Sequence, residues 1–477
     1  MSKSQIGPGD AAPGEYTVTF TSSGQATVRG PGITRQTEVR MLVEDQGISL
    51  AFGTTLPPHL ADLLDIAVAA YVADRLCVRR PRSARGLQSD QLWQRRITLR
   101  LPLRNPGFWS SERCHRVAML LGFITDDTWT LEFTQGRPRH RLSETQGSLF
   151  PDVPVGDVTS CLLSGGLDSM AGLTAELVGH PSRTIVAFSA RTNRRIGAYQ
   201  RDQVQALTSR FGARLRHIPA TIRLKDRVRG AYDREEPSQR TRGFVFQIFG
   251  AVTAALGGID SLHVYENGVG ALNLPYSASQ LGAQATRATN PLTIALASDL
   301  VSGVISQPFR VCLPHRFDTK AEMVSVFRDA GLRDLIQLTI SCDNFPQRFP
   351  RTPQCGLCPS CLLSRQSLYS AGLRDADPSF RFRHNVYDME DEHWTEHSYH
   401  LRVMTMQAAT LNVDMQTPAP WATLIYRYPL LHGVAEEIPA PDVTPDLRDN
   451  TMALLKRYSN EWLAFWTTVR PRTKVLT

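Results

Sequence analysis

The chain has 477 residues, of which 42% are hydrophobic, 21% charged and 8% aromatic; at about 100–200 residues per domain this gives two to four units with ample apolar surface to bury, which excludes wholesale disorder. The formal charge of +8, from 53 basic against 45 acidic residues, is a mild bias toward anionic partners such as nucleotides or nucleic acid and does not choose between them. Eight cysteines are too few for a disulfide scaffold in a chain this long.

The start, MSKSQIGPGDAAPGE, lacks the apolar core of a secretory signal, so a cytoplasmic protein is expected. Residues 1–140 read as an α+β accessory domain. Tyr16 to Phe20 and Thr37 to Val43 are strand-like, and Leu60 to Leu76 is a helix whose Asp62, Asp65 and Asp74 argue against a membrane span. Residues 96–101 and 128–133 alternate polar and apolar, the period of strands with one wet face. RPRHRLSETQGS, Arg137 to Ser148, reads as a linker, assigned to 141–155.

From Val158 short apolar runs (158–163, 184–188, 215–218, 262–265) alternate with segments of helical period (167–178, 199–211, 244–256). That pattern predicts an α/β domain over 156–375, a parallel sheet with helices on both faces. The last two helices end at Gly212 and Gly257, where left-handed C-caps are expected. Residues 376–477 read as a mostly helical extension, with Leu455, Trp462, Leu463, Phe465 and Trp466 giving 452–469 a broad apolar face.

The first strand of the α/β region runs into Ser164, Gly165, Gly166, Leu167, Asp168 and Ser169 and then into a helix. A helix N-terminus beyond the carboxyl end of a parallel strand offers free N–H groups and a positive dipole end to a phosphate. The two glycines let the backbone approach, and the serines add donors. The loop has neither a Walker lysine nor dinucleotide-fingerprint spacing. Cys355, Cys358 and Cys361, with Cys342 thirteen residues earlier, supply four thiolates for a closed, structural zinc site; an iron–sulfur cluster is the alternative. Cys77, Cys114, Cys161 and Cys312 are single and read as packing residues.

SGGLDS after an apolar strand resembles the signature of the PP-loop ATPases, which cleave ATP between its α and β phosphates and adenylate a substrate. LLSGGLDS, TKAE at Thr319 to Glu322, and Cys342 with CGLCPSC and Arg365 behind it together resemble the 7-cyano-7-deazaguanine synthase (QueC) family, over about residues 156–370. The resemblance implies adenylation of 7-carboxy-7-deazaguanine by ATP with Mg2+, followed by displacement of AMP by an amine. It places Ser164, Gly165, Gly166, Leu167, Asp168 and Ser169 on the triphosphate and Phe188 and Ser189 beside the nucleotide. Arg242 and Lys320 are placed on the phosphates, with Asp168 also in a catalytic role. Of 53 basic residues only five are lysine, and Lys320 stands alone between Lys225 and Lys456. Glu266 and Asn267 are the expected base contacts, a carboxylate and an amide suiting the donor edge of a guanine-like ring.

The sequence departs from the family at Arg191-Thr192-Asn193, at Thr241-Arg242-Gly243, at Thr319-Lys320, and in 266–291, where the family's base-pocket block has no equivalent. With about 150 residues before the core and 100 after it, the chain is similar to extended QueC-like proteins of bacterial antiphage defence operons (Qat and a class of CBASS systems). That likeness implies transfer of the deazaguanine to an amine of a partner protein, such as an N-terminal glycine. Synthesis of the free nitrile with ammonia for tRNA or DNA modification, and nucleotide sensing without turnover, are the competing readings. His393-Trp394-Thr395-Glu396-His397 matches the HxxEH of inverted zinc peptidases, but no third ligand is apparent and a solvated helix face is expected.

Overall fold

The computed structural model describes residues 14–31, 37–79, 94–137, 141–148, 153, 156–225, 236, 238–276, 286–345, 353–378, 381–387, 398–436 and 447–469. The HxxEH segment lies outside them. Strands β1 (Glu15–Phe20), β2 (Gln25–Arg29) and β3 (Thr37–Glu44) form an antiparallel meander. Helices α1 (Gln46–Phe52) and α2 (Pro58–Leu76) follow, then β4 (Arg96–Leu103), α3 (Ser111–Thr125) and β5 (Thr128–Gln135). β4 pairs in parallel with both β1 and β5.

The α/β alternation continues as expected. β6 (Val158–Leu162), α4 (Leu167–Gly179), β7 (Thr184–Arg191), α5 (Arg194–Phe211) and β8 (Leu215–Lys225) give three parallel strands. α6 (Arg242–Leu256), β9 (Ser261–His263), α7 (Gly268–Leu272), α8 (Pro291–Ile305) and β10 (Arg310–Cys312) complete the parallel part. Because β7 alternates faces, Val186, Phe188 and Ala190 pack with α2, α6 and α8, while Ile185 and Ala187 pack with α4 and α5. The strand order is β10-β9-β6-β7-β8-β3-β2-β1-β4-β5. The chain is therefore α/β with a mixed sheet whose β6–β10 portion is parallel and covered on both faces.

The sheet crosses the boundary expected near residue 140. β3 pairs antiparallel with β8, Arg40 opposite Lys225, so the first 140 residues extend the same sheet and share one apolar core with α6 and α8. The polar stretch read as a linker also differs from expectation. Arg141 is 1% exposed and its guanidinium pairs with Asp45 and Asp65, so the chain is pinned into the fold by charge at this residue.

The two glycine caps differ as well. Gly212 has positive φ (71°) but ψ of −157°, outside the left-handed helical region. Gly257 has φ −84°, and Gly258 makes the turn at φ +68°. Gly257 is needed for another reason: a Cβ there would lie 2.2 Å from the Phe52 ring.

Beyond the sheet, α9 (Lys320–Val324) and α10 (Val326–Asp329) precede α11 (Pro359–Ser370). The C-terminal part is helical where described: α12 (Tyr399–Asp414), α13 (Pro420–Arg427), α14 (Leu430–Glu436) and α15 (Leu447–Val469). Leu455, Trp462 and Phe465 of α15 are buried with Leu362 of α11 and Leu411 of α12, as its apolar face requires. None of the described helices is long and apolar enough to cross a membrane.

Candidate active site and metal centre

Strand β6 delivers the Ser-Gly-Gly loop to the N-terminus of α4. Gly165 sits at φ +93°, a conformation that an L side chain resists, and Gly166 is the N-cap of the helix. Ser164 Oγ lies 3.0 Å from Ser169 Oγ and accepts from the Gly166 N–H at 3.2 Å. The loop is braced from below: Gln203 Nε2 donates to Gly165 O at 2.9 Å, Gln200 Nε2 donates to Leu163 O and Ser164 O, each at 3.3 Å, and the Ile340 N–H donates to Gly165 O at 3.0 Å. Ser341 Oγ accepts from the Leu167 N–H at 3.1 Å. Sequence reasoning missed these braces, although Gln200 and Gln203, three apart on one helix and 1% and 0% exposed, carry the signal of amides at core positions.

Asp168, in the first turn of α4, accepts from Lys320 Nζ at 2.5 Å through Oδ2 and from Asn267 Nδ2 at 3.2 Å through Oδ1. Lys320 opens α9, where Thr319 and Glu322 form a capping box. Lys320 is 5% exposed, which excludes the ordinary surface role. The C-terminal extension reaches this point: Thr319 Oγ1 donates to Glu461 Oε1 of α15 at 2.7 Å, and Gln366 Nε2 of α11 donates to Glu461 Oε2 at 3.3 Å.

A pocket opens beside the loop, lined by Ser164, Ser169, Phe188, Phe246 and Glu266 among others. Gly243 also lines it, whereas its neighbour Arg242 is exposed and makes none of the hydrogen bonds described for the site. Phe188 stacks on Phe249 with centroids 6.2 Å apart. Ser189 points to the opposite face of the sheet, donating to Leu163 O at 2.8 Å and lying 2.9 Å from His217 Nε2, so the pair Phe188 and Ser189 divides between pocket and support.

Glu266 and Asn267 divide likewise. Asn267 is fully buried; its Oδ1 accepts from the Gly270 N–H at 2.9 Å and its Nδ2 serves Asp168 and, at 3.0 Å, Glu266 Oε1. Its polar atoms are spent inside the protein, so it positions neighbours and is not a base contact. A Cβ at Gly270 would fall 2.3 Å from Glu266 Oε1. Burial pushes the Glu266 carboxyl up to about 8, Asp168 adding to the effect and Lys320 opposing it.

The four cysteine sulfurs lie within 4.8 Å of one another, with Cys342–Cys358 and Cys355–Cys361 each 4.0 Å apart, near the edge of about 3.8 Å for a tetrahedron with Zn–S of about 2.3 Å. Backbone N–H groups of Cys355, Cys358 and Cys361 donate to Cys342, Cys355 and Cys358 sulfurs at 3.3, 3.3 and 3.4 Å. The cluster could hold a metal ion such as zinc, held as a closed set of soft donors. Arg365 is buried behind it, paired with Asp377 at 3.0 Å. Cys342 follows Ser341, whose hydroxyl accepts from the Leu167 N–H, so the cysteine cluster begins one residue from a contact with the Ser-Gly-Gly loop. Of the single cysteines, Cys77 and Cys161 are wholly buried, burial driving both thiols far above their usual range.

Compared with known proteins, the chain matches no protein-family model and no curated sequence.

Proposed function

We propose that the chain is an ATP-dependent enzyme that adenylates 7-carboxy-7-deazaguanine, releases pyrophosphate and transfers the deazaguanine to an amine, that of a partner protein in bacterial antiphage defence. The observation that carries the adenylation is the buried Lys320–Asp168 pair, 2.5 Å long, set beside the Ser-Gly-Gly loop at the carboxyl end of a parallel strand. An ammonium held there by one carboxylate is placed to meet the negative charge that develops on a departing pyrophosphate. The pocket at Phe188 and Glu266 adjoins the loop, as a substrate carboxylate attacking the α-phosphate requires. The base and the protein acceptor rest on the family resemblance; a protein acceptor needs a docking area of about 800 Å², more than an α/β core binding ammonia requires.

The test is release of AMP and pyrophosphate from ATP, with and without 7-carboxy-7-deazaguanine, in the absence of any protein acceptor and with ammonium present or absent. Release that requires the base is expected, with little response to ammonium; Lys320→Ala lowers it about 10²–10³-fold, measured at a temperature where circular dichroism shows the variant folded. Release indifferent to the base sinks the substrate assignment. A strong ammonium response sinks protein conjugation in favour of nitrile synthesis.

A further inference from the structure

We infer that Glu266 takes the proton from the attacking amine, because it is the carboxylate that faces the pocket while Asp168 and Asn267 are occupied by partners of their own. This rests on the adenylation reading and assigns the second half-reaction within it. Four side chains form a line: Lys320 Nζ to Asp168 at 2.5 Å, Asp168 to Asn267 Nδ2 at 3.2 Å, and Asn267 Nδ2 to Glu266 Oε1 at 3.0 Å. The inner end is closed, both Asp168 oxygens being engaged. The outer end opens on the pocket, where Glu266 is the only carboxylate among the described lining residues. Asn267, locked by Gly270, fixes the direction of the Glu266 carboxyl, and Gly270 leaves the room it occupies.

In the step assigned, an uncharged amine places its lone pair on the acyl carbon and the C–N bond forms. The C–O bond to the phosphate breaks, its electron pair leaving on AMP. The proton shed by the nitrogen passes to the Glu266 carboxylate and then to water. The groups that act on Glu266 are Asp168 from α4, Lys320 from α9 and the Asn267 backbone beside it; burial and Asp168 raise the carboxyl to about 8, Lys320 and Asn267 lowering it in part. A base of that strength is matched to an α-amino group, whose ordinary value is about 7.7–8.0.

The experiment separates the half-reactions. Exchange of labelled pyrophosphate into ATP, dependent on 7-carboxy-7-deazaguanine, reads adenylation; amide formation with glycylglycine, corrected for its free-amine fraction, reads transfer. For Glu266→Gln the ratio of transfer to exchange is expected to fall about 10²-fold, and the rise in wild-type transfer rate through about pH 8 is expected to vanish. Hydroxylamine, a weaker base that sheds its proton more readily, is expected to lose less. Glu266→Asp, which keeps a carboxylate, is expected to retain the pH limb at a reduced rate. An unchanged ratio, or equal loss of exchange and transfer, overturns the assignment. Absence of base-dependent exchange in the wild-type protein overturns the adenylation reading instead.

Discussion

Charge is buried at several places in this molecule, and two of them are built differently. Behind α2, Arg95 binds Asp74 at 2.7 Å and Asp127 at 2.6 Å, and Arg79 binds Asp127 at 2.7 Å. The second oxygen of Asp74 accepts from the Thr241 N–H and hydroxyl at 3.1 and 3.0 Å. Two cations face two carboxylates, all four side chains are 2% exposed or less, and none of them lines the pocket beside the Ser-Gly-Gly loop. At the Ser-Gly-Gly loop one lysine faces Asp168 and Glu266, and Glu266 lines a cavity. A balanced, closed network holds parts together; a surplus carboxylate held at the edge of a pocket is costly to the fold and has a use only when something else enters.

The largest effect follows from breaking the closed network. Arg95→Ala leaves Asp74 and Asp127 buried without their shared cation, and the expected loss is about 3–5 kcal/mol, read as a fall in the urea midpoint at unchanged slope. A loss below about 1 kcal/mol would erase the contrast between the two regions.

Acid and alkali separate them next. Burial pushes the Asp74 carboxyl up, but the charge of Arg95 and the hydrogen bonds from Arg95 and Thr241 outweigh it, so the folded value lies below the ordinary 3.8. Its contribution is present above that value and lost as pH falls through the lower folded one. Glu266 has the opposite sign. Raised from 4.5 to about 8, it binds its proton more tightly when folded, so its contribution is full below 4.5 and declines as pH rises from there to about 8. Urea midpoints measured from pH 3 to 9 are expected to fall at both ends, with Glu266→Gln flattening the alkaline decline and leaving the acid one. A variant that flattens neither limb would show that the site carboxyl is ordinary.

The same contrast explains what was legible in the sequence. The loop of residues 164–169 is a local feature, written in two glycines between an apolar strand and a helix, and it formed as read. The cysteine cluster is written almost as locally, in the spacing of 355, 358 and 361. Lys320 stood out because lysine is scarce here. The role of Asn267 was misread from its residue type, although Asn-Gly-x-Gly at 267–270 is also the signature of a side chain that caps a short helix, and that role consumed its oxygen. The continuity of the sheet could not be read, since Arg40 and Lys225 lie 185 residues apart and a strand pattern does not name its partner. Arg141 looked like linker because its partners, Asp45 and Asp65, sit far upstream.

The smallest effect is expected at the far edge of the sheet, where charges pair in water. Arg100 of β4 reaches Glu132 of β5 at 2.6 Å, yet the two side chains are 51% and 46% exposed. Solvent screens their attraction, and holding two long chains in one geometry costs entropy. Arg100→Ala is expected to change stability by less than about 1 kcal/mol, with a further fall in any effect at 1 M salt, despite a separation equal to that of Arg95 and Asp127. A loss approaching that of Arg95→Ala would mean that distance, and not burial and the partner left behind, sets the worth of these pairs.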